Sequence, residues 1–335
     1  MTTIPVKKIA AVSMGSPAAQ VLGKTGWGMV HSVFARAINL KVGRYLLTIA
    51  QPDLQNLPYG LLCDLRQLNS DHQVKSGERV RVTGHELWFL RTGARIDYSE
   101  AVIWSPHLRL PIGDHACLGI QTRMDIVRKL ACERDMEAGL TPLLAQVKGI
   151  LLEDPAIHKG RAGYQRRAGE ALVLLVRAVR GYQTDRMVSA GSGLLGLGIG
   201  LTPSGDDVLT GLLTTLIVTG QDAIHLMAVH ASQHLARMAE DRTTIISAHL
   251  LRQAGQGYVT ERYRNLLASL VLGEEASLLG DRTQQMMAYG ATSGAEVILG
   301  SLLGLALSME WEAKDQTDFF FCKEAMKSDA NWNPG

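Results

Sequence analysis

Glu78–Leu90, ERVRVTGHELWFL, decides the fold class of the first third of the chain. Apolar residues alternate at Val80 and Val82, the chain turns at Gly84, and alternation resumes at Leu87 and Phe89. A period of two places those four side chains on one face of a pleated ribbon, and the glycine between the runs supplies a tight turn. Two neighbouring stretches read the same way. Val42–Ala50, VGRYLLTIA, is rich in β-branched and aromatic residues, and Arg95–Trp104 alternates through Ile96, Tyr98, Val102 and Trp104. Short strands joined by tight turns, with few helical stretches between them, predict an antiparallel sheet or small barrel rather than βαβ units.

From about Thr122 the apolar period lengthens towards four. Ile126, Val127, Leu130 and Ala131 share one helical face, and Ala171–Val179, Ala223–Ala239, Thr260–Leu272 and Glu275–Tyr289 repeat the pattern. Gly139, Gly181 and Gly273 fall where such helices would end. The sequence therefore predicts an α+β protein: a β-rich part in residues 1–115 and an α-helical part in 116–310, joined near Ile112–Gln121. Residues 311–335 read as a partly disordered tail in which Phe319–Phe321 is the one apolar cluster.

The bulk composition excludes several classes. A chain of 335 residues buries roughly 75% of its unfolded surface, so no disulfide or metal staple is required. With 46% hydrophobic and 20% charged residues it is core-forming. Net charge is +2 with the signs interspersed, and the short basic cluster Arg161, Arg166 and Arg167 lacks interleaved aromatics, which argues against nucleic acid. Cys63, Cys117, Cys132 and Cys322 show no C-x-x-C spacing, as expected of free thiols in a reduced compartment. Neither a signal segment nor eighteen uninterrupted apolar residues is legible, so a cytoplasmic protein away from the membrane is expected. Even Ser293–Met309 carries Glu296 in its first turn and reads as a buried core helix.

The chemistry concentrates in GSGLLGLGIGLTPSG, Gly191–Gly205, which holds six glycines. Gly191, Gly193 and Gly196 satisfy G-x-G-x-x-G, but the preceding GYQTDRMVSA is a poor strand, so a dinucleotide fold is excluded. Gly200 and Gly205 have P-loop spacing, yet Asp206 and Asp207 stand where Lys and Ser/Thr belong. Thr202 before Pro203 suits an N-cap; alternatively Ser204 caps and Asp207 closes a capping box. Either arrangement starts a helix at Val208, Leu209, Leu212 and Leu213 whose N-terminal N–H groups favour an anion. The arrangement returns downstream, where Ser293, Gly294, Glu296, Val297 and Gly300 echo Ser204, Gly205, Asp207, Val208 and Gly211. The sequence thus predicts two helix starts facing one site.

Other candidates are weaker. His249 in TTIISAHLL can act as a base if it reaches that site, although a core histidine is the commoner case. His230 and His234 lie four apart on a helix with no third metal ligand, which suits a surface role. The absence of G-x-S-x-G leaves no legible nucleophilic triad around Ser204.

The run GIGLTPSGDDVLTG, Gly198–Gly211, is similar to the hallmark of a bacterial family that includes the AllH-type subunit of oxamate carbamoyltransferase, from anaerobic allantoin breakdown. Gly26, Trp27, Phe34, Ala37, Asn39 and Leu40, and the late Thr292–Gly294, resemble it too; the resemblance runs over roughly residues 20–310. It implies a subunit of an enzyme that phosphorolyses oxalurate to oxamate and carbamoyl phosphate. It also implies a hetero-complex with an acyl-CoA-synthetase-like subunit and a further partner. Carried over by motif, Ser204, Asp206 and Asp207 are the catalytic candidates. Gly198, Gly200, Thr202, Gly205, Ser293, Gly294, Glu296 and His249 are the candidates for holding a small anion of the oxamate, oxalurate or carbamoyl phosphate class. Asp206 and Asp207 can alternatively hold Mg²⁺ that bridges to phosphate oxygens. The late copy departs from a two-acid pattern, because Ala295 stands where a second carboxylate would be. A ligand-positioning scaffold and a stand-alone enzyme on another small carboxylate are the alternative readings.

Overall fold

A computed structural model describes residues 8–66, 74–112, 117–133, 138–158 and 163–312. Arg161, Cys322 and Phe319–Phe321, with the remainder of the expected tail beyond residue 312, lie outside the described residues. The chain divides into two units. One runs through Leu108 and takes in Gln256–Asn265; the other holds Arg109–Gly255 and continues from Leu266.

The first unit consists of β1 (Lys8–Gly15), α1 (Ser16–Leu22), β2 (Gly26–Val33), β3 (Ala37–Val42), β4 (Tyr45–Ala50), β5 (Gly60–Cys63), β6 (Arg79–Val82), β7 (Glu86–Phe89), β8 (Arg95–Asp97) and β9 (Val102–Trp104). The deciding stretch is the β6–β7 hairpin, with Val80 opposite Phe89, Val82 opposite Leu87, and Gly84 at φ +93° in the turn. Those four apolar side chains are buried in one core with Val30, Ile38, Leu40, Leu47, Ile49, Leu61 and Ile96. On the outer face, Arg81 pairs with Trp88, and the Arg95 guanidinium lies 4.8 Å over the Trp88 ring.

The strands close in the order β1-β5-β4-β3-β2-β6-β7-β8, and β8 returns to β1. Closure leaves no free edge around that ring. The sheet is mixed rather than wholly antiparallel: β1 runs parallel to β8 and β9, and β4 parallel to β5. Hairpin partners are fixed by their local turn, whereas the partners of β1 lie far along the chain and no local signal states their direction. Two expected strands also divide. Val42–Ala50 turns at Gly43, φ +57°, so that Val42 pairs with Tyr45. Arg95–Trp104 breaks because Asp97 Oδ1 accepts from the N–H and hydroxyl of Ser99, at 2.9 and 2.8 Å, and bends the chain between β8 and β9.

The helices that follow are α2 (Cys117–Cys132), α3 (Val147–Leu151), α4 (Gly163–Arg180), α5 (Thr184–Ser192), α6 (Ser204–Thr219), α7 (Asp222–Arg242), α8 (Ile245–Ala254), α9 (Glu261–Ala268), α10 (Ala276–Met287) and α11 (Ser293–Glu312). Gly181 follows α4, and Gly273 ends a π-helical turn, Ser269–Gly273. At the centre α6 and α11 run side by side in the same direction. A Cβ on Gly211 would stand 2.2 Å from the Val297 carbonyl oxygen, and one on Gly300 would stand 2.0 Å from that of Val208. The two approaches are reciprocal under the offset that relates the sequence echo. Further along, Thr219 Oγ1 donates to Ser308 Oγ at 3.0 Å, residues 89 apart. Glycine at the crossings lets backbone meet backbone. Arg109 closes the far end of α6, donating from Nη1 to the carbonyls of Ile217, Val218 and Gly220 at 3.1, 3.0 and 2.6 Å.

Among the described residues, Ser293–Glu310 is the one segment long and apolar enough to cross a membrane, and 94% of it is buried inside the protein. Cys63 and Cys132 are free thiols, and burial pushes the Cys63 thiol up to about 12, as for a packing residue. Arg166 of the basic cluster pairs with Glu170 one turn on, at 3.0 Å.

Candidate functional site

The glycine-rich run reaches α6 through left-handed turns. Gly196, Gly198 and Gly200 have φ of +70°, +116° and +106°, a region L side chains avoid. A Cβ on Gly198 would meet Ser204 N at 2.9 Å, and one on Gly205 would meet the Leu194 carbonyl oxygen at 2.2 Å. The expected caps shift by a residue or more. Pro203, in extended conformation, occupies the N-cap, no side chain caps the helix, and Ser204 is its first residue. The Gly205 N–H donates instead to Leu197 O at 2.8 Å, so the folded-back loop satisfies what a serine hydroxyl would have satisfied. The late copy does the same, with Gly294 N–H donating to Tyr289 O at 2.9 Å.

The adjacent aspartates have separate surroundings. Both are 1% exposed. Asp206 accepts from Gly196 N–H at 2.9 Å and from the Thr243 hydroxyl, so each oxygen has a donor. Burial raises its pKa, opposed by Thr243, Gly196 and Ser247. Its position ties the glycine loop to the chain entering α8. Asp207 faces the other way, towards the second helix start. Its Oδ2 is buried without a hydrogen-bond partner. Burial pushes the carboxyl up to about 8, with Glu296 and Asp206 adding to the shift and the hydroxyls of Ser293 and Thr202 opposing it. The pair therefore does not present two free carboxylates to one Mg²⁺. Among the described residues no group of three or more His, Cys, Asp or Glu is placed to hold a metal ion.

The two helix starts meet. Thr202 Oγ1 and Ser293 Oγ lie 3.0 Å apart, which brings the expected residues Thr202, Ser204, Asp207, Ser293, Gly294 and Glu296 into one neighbourhood. Glu296, fully buried, accepts from Leu140 N–H at 2.9 Å through Oε1 and from the Thr292 hydroxyl at 3.1 Å through Oε2. It thereby straps down a third segment that the motif did not reveal. Gly139, φ +59°, leaves no room for a Cβ, which would stand 2.1 Å from Glu296 Oε1 and 3.0 Å from Ser204 Oγ. The Gly139 carbonyl accepts from Tyr164 and Gln165 of α4 at 3.2 and 3.0 Å. In the sequence Gly139 reads only as a helix stop, and Thr243 carries no signal at all.

His249 lies buried on α8, where desolvation pushes its pKa down to about 4 and leaves a neutral ring at physiological pH. His230 and His234 are exposed on α7.

Comparison with known families places this arrangement. The model described as oxamate carbamoyltransferase subunit AllH matches residues 194–305, a span that starts at the glycine loop and runs into α11. The model described as the AllH family N-terminal domain matches residues 10–103, the strands of the first unit. No solved structure matches the chain. With both models matched, and most of the chain between them, the protein belongs to the AllH family, that of a subunit of oxamate carbamoyltransferase.

Proposed function

We propose that this chain serves carbamoyl transfer as one subunit of a hetero-complex that converts oxalurate and phosphate to oxamate and carbamoyl phosphate. In this reading the paired starts of α6 and α11 bind the small anionic carboxylate or phosphate substrate. The observation that carries it is the Asp207 carboxyl, whose Oδ2 is buried without a partner inside the span matched by the family model and which burial favours in its protonated form, able to donate to an anionic oxygen. Leaving such an oxygen bare costs roughly 1–3 kcal/mol or more. Groups held in that state mark functional sites. Around it Thr202, Ser204 and Ser293 supply hydroxyls, the glycines Gly198, Gly200, Gly205 and Gly294 supply close approach, and Asp206 and Glu296 hold the loops in place. An acyl-CoA-synthetase-like subunit and a further subunit complete the complex.

Reconstitution tests the reading. The chain is combined with those two subunits, and carbamoyl phosphate released from oxalurate and phosphate is measured. Turnover is expected to need the chain, and Asp207→Asn is expected to lower kcat/KM at least about tenfold while the protein stays folded. Full turnover without the chain refutes the subunit reading. Full turnover with Asp207→Asn and Ser293→Ala leaves a scaffold role in its place.

A further inference from the structure

The outer face of the first unit's barrel presents rings and cations in register. Across β2, β6, β7 and β8, Trp27 stands opposite Arg81, Arg81 opposite Trp88 and Trp88 opposite Arg95, so aromatic and guanidinium groups alternate along one row. With strands about 4.8 Å apart, that row spans roughly 14 Å. The adjoining row sets Met29 opposite Arg79, whose carbonyl accepts from Leu90 N–H at 3.0 Å. The Arg79 guanidinium lies 4.5 Å over the Trp27 ring. A cation over an exposed ring is worth only about 0.5–1 kcal/mol, and it leaves most of the apolar surface here in water. Trp27, Met29 and Leu90 remain 52%, 48% and 40% exposed.

Single apolar residues on a surface need no explanation, whereas a contiguous patch marks a place where something binds. Trp, Met and Arg are enriched where proteins meet, and Trp and Arg carry much of the energy there. Charge selects the partner. Among the described residues neither Arg79 nor Arg81 has an acidic side chain within ion-pair distance. By contrast, Lys8 bridges Glu86 and Asp97 at 2.9 and 2.7 Å, and Arg95 lies 3.8 Å from Glu86. Two guanidinium groups thus stand unneutralised beside exposed apolar side chains, and covering them calls for carboxylates from outside. Glu86 and Asp97, two residues along from Trp88 and Arg95, bound the cationic stretch on the same face. It therefore fits a few separate carboxylates and not the unbroken charge of a nucleic-acid backbone. Given the hetero-complex reading above, we infer that this face docks another protein of the complex, through a surface on which Asp or Glu side chains ring an apolar centre.

Biolayer interferometry of the full chain against the acyl-CoA-synthetase-like subunit, and separately against the further subunit, reads the docking. At least one of them is expected to bind, with association slowed at least about tenfold between about 0.05 M and about 0.5 M salt. Trp27→Ala should weaken that binding at least about thirtyfold, and Arg79→Glu with Arg81→Glu at least about tenfold. Arg166→Glu, an exposed position on α4, is the control and should change it less than about threefold. Trp27 is half exposed, so its removal leaves the barrel core intact and stands as a readout even if the double charge reversal does not fold. A complex indifferent to salt and to these substitutions overturns the docking face but keeps the hetero-complex. An oligothymidylate that binds the chain and is released by Arg79→Glu with Arg81→Glu, while both subunits bind that variant as they bind the parent, also overturns it. So does self-association of the chain alone that those substitutions abolish, because the face then belongs to a second copy. If neither subunit binds the parent chain, the hetero-complex reading fails and the docking face with it.

Discussion

The hydroxyls of Thr202 and Ser293 lie 3.0 Å apart although the residues are 91 positions apart in sequence. That contact joins the start of α6 to the start of α11, and the two helices then run on together through Gly211 and Gly300 to Thr219 and Ser308. The helix pair is the frame on which the glycine loop, the Gly139 segment and the two acids are hung.

Gly300→Ala tests the frame. The added Cβ meets backbone at 2.0 Å, not a yielding side-chain end, so a loss of about 3 kcal/mol or more is expected in denaturant unfolding. Gly280→Ala on α10 is the control. Its nearest contact is Leu130 Cδ1 at 3.9 Å, so the better helix former should gain about 0.5–1 kcal/mol.

Asp207 gives a pH signature. Its folded pKa of about 8 lies above the ordinary 3.8, so between those values the folded protein holds a proton the unfolded chain has released. Its contribution to stability is therefore present below about pH 4 and is lost as pH rises through about 8. Asn mimics the protonated acid. The stability gained by Asp207→Asn should be at least about 1 kcal/mol larger at pH 9 than at pH 5, measured by urea unfolding. A gain that does not change with pH would contradict this burial of the charge.

Glu296 can be separated from its charge. Glu296→Gln keeps an acceptor for Leu140 N–H and a donor for the Thr292 oxygen, so unfolding free energy should stay within about 1 kcal/mol of the parent. Glu296→Ala leaves the Leu140 N–H buried and unpaired and should cost about 2 kcal/mol or more. Gly139→Ala, blocked both by φ and by Glu296 Oε1, should be at least as damaging.

His249 governs part of the acid limb. Its pKa is lowered from 6.5 to about 4, so below about 6.5 the unfolded chain takes up a proton that the folded protein refuses. Stability falls as pH drops from about 6.5 to 4. In His249→Leu that stretch of the stability–pH curve should be flatter, as read by thermal unfolding across the same range.

What the sequence by itself determined is what local spacing can state. The β6–β7 hairpin, the helical period after Thr122 and the core character of α11 follow from residues within a few turns of each other, and the echo of Ser204–Gly211 at Ser293–Gly300 is one such local pattern written twice. Tertiary structure decided the parallel pairing of β1 with β8, the break at Asp97–Ser99, and the use of Leu197 and Tyr289 carbonyls where serine caps were expected. It alone decided that Asp206 is bound on both oxygens while Asp207, the next residue, is bare on one. Neighbours on a helix point about 100° apart, so a pair of acids that reads as one unit in sequence enters two environments in space. Those environments are made by Gly196, Thr243, Ser293 and Glu296, and the distances along the chain to the last three exceed the reach of any local pattern.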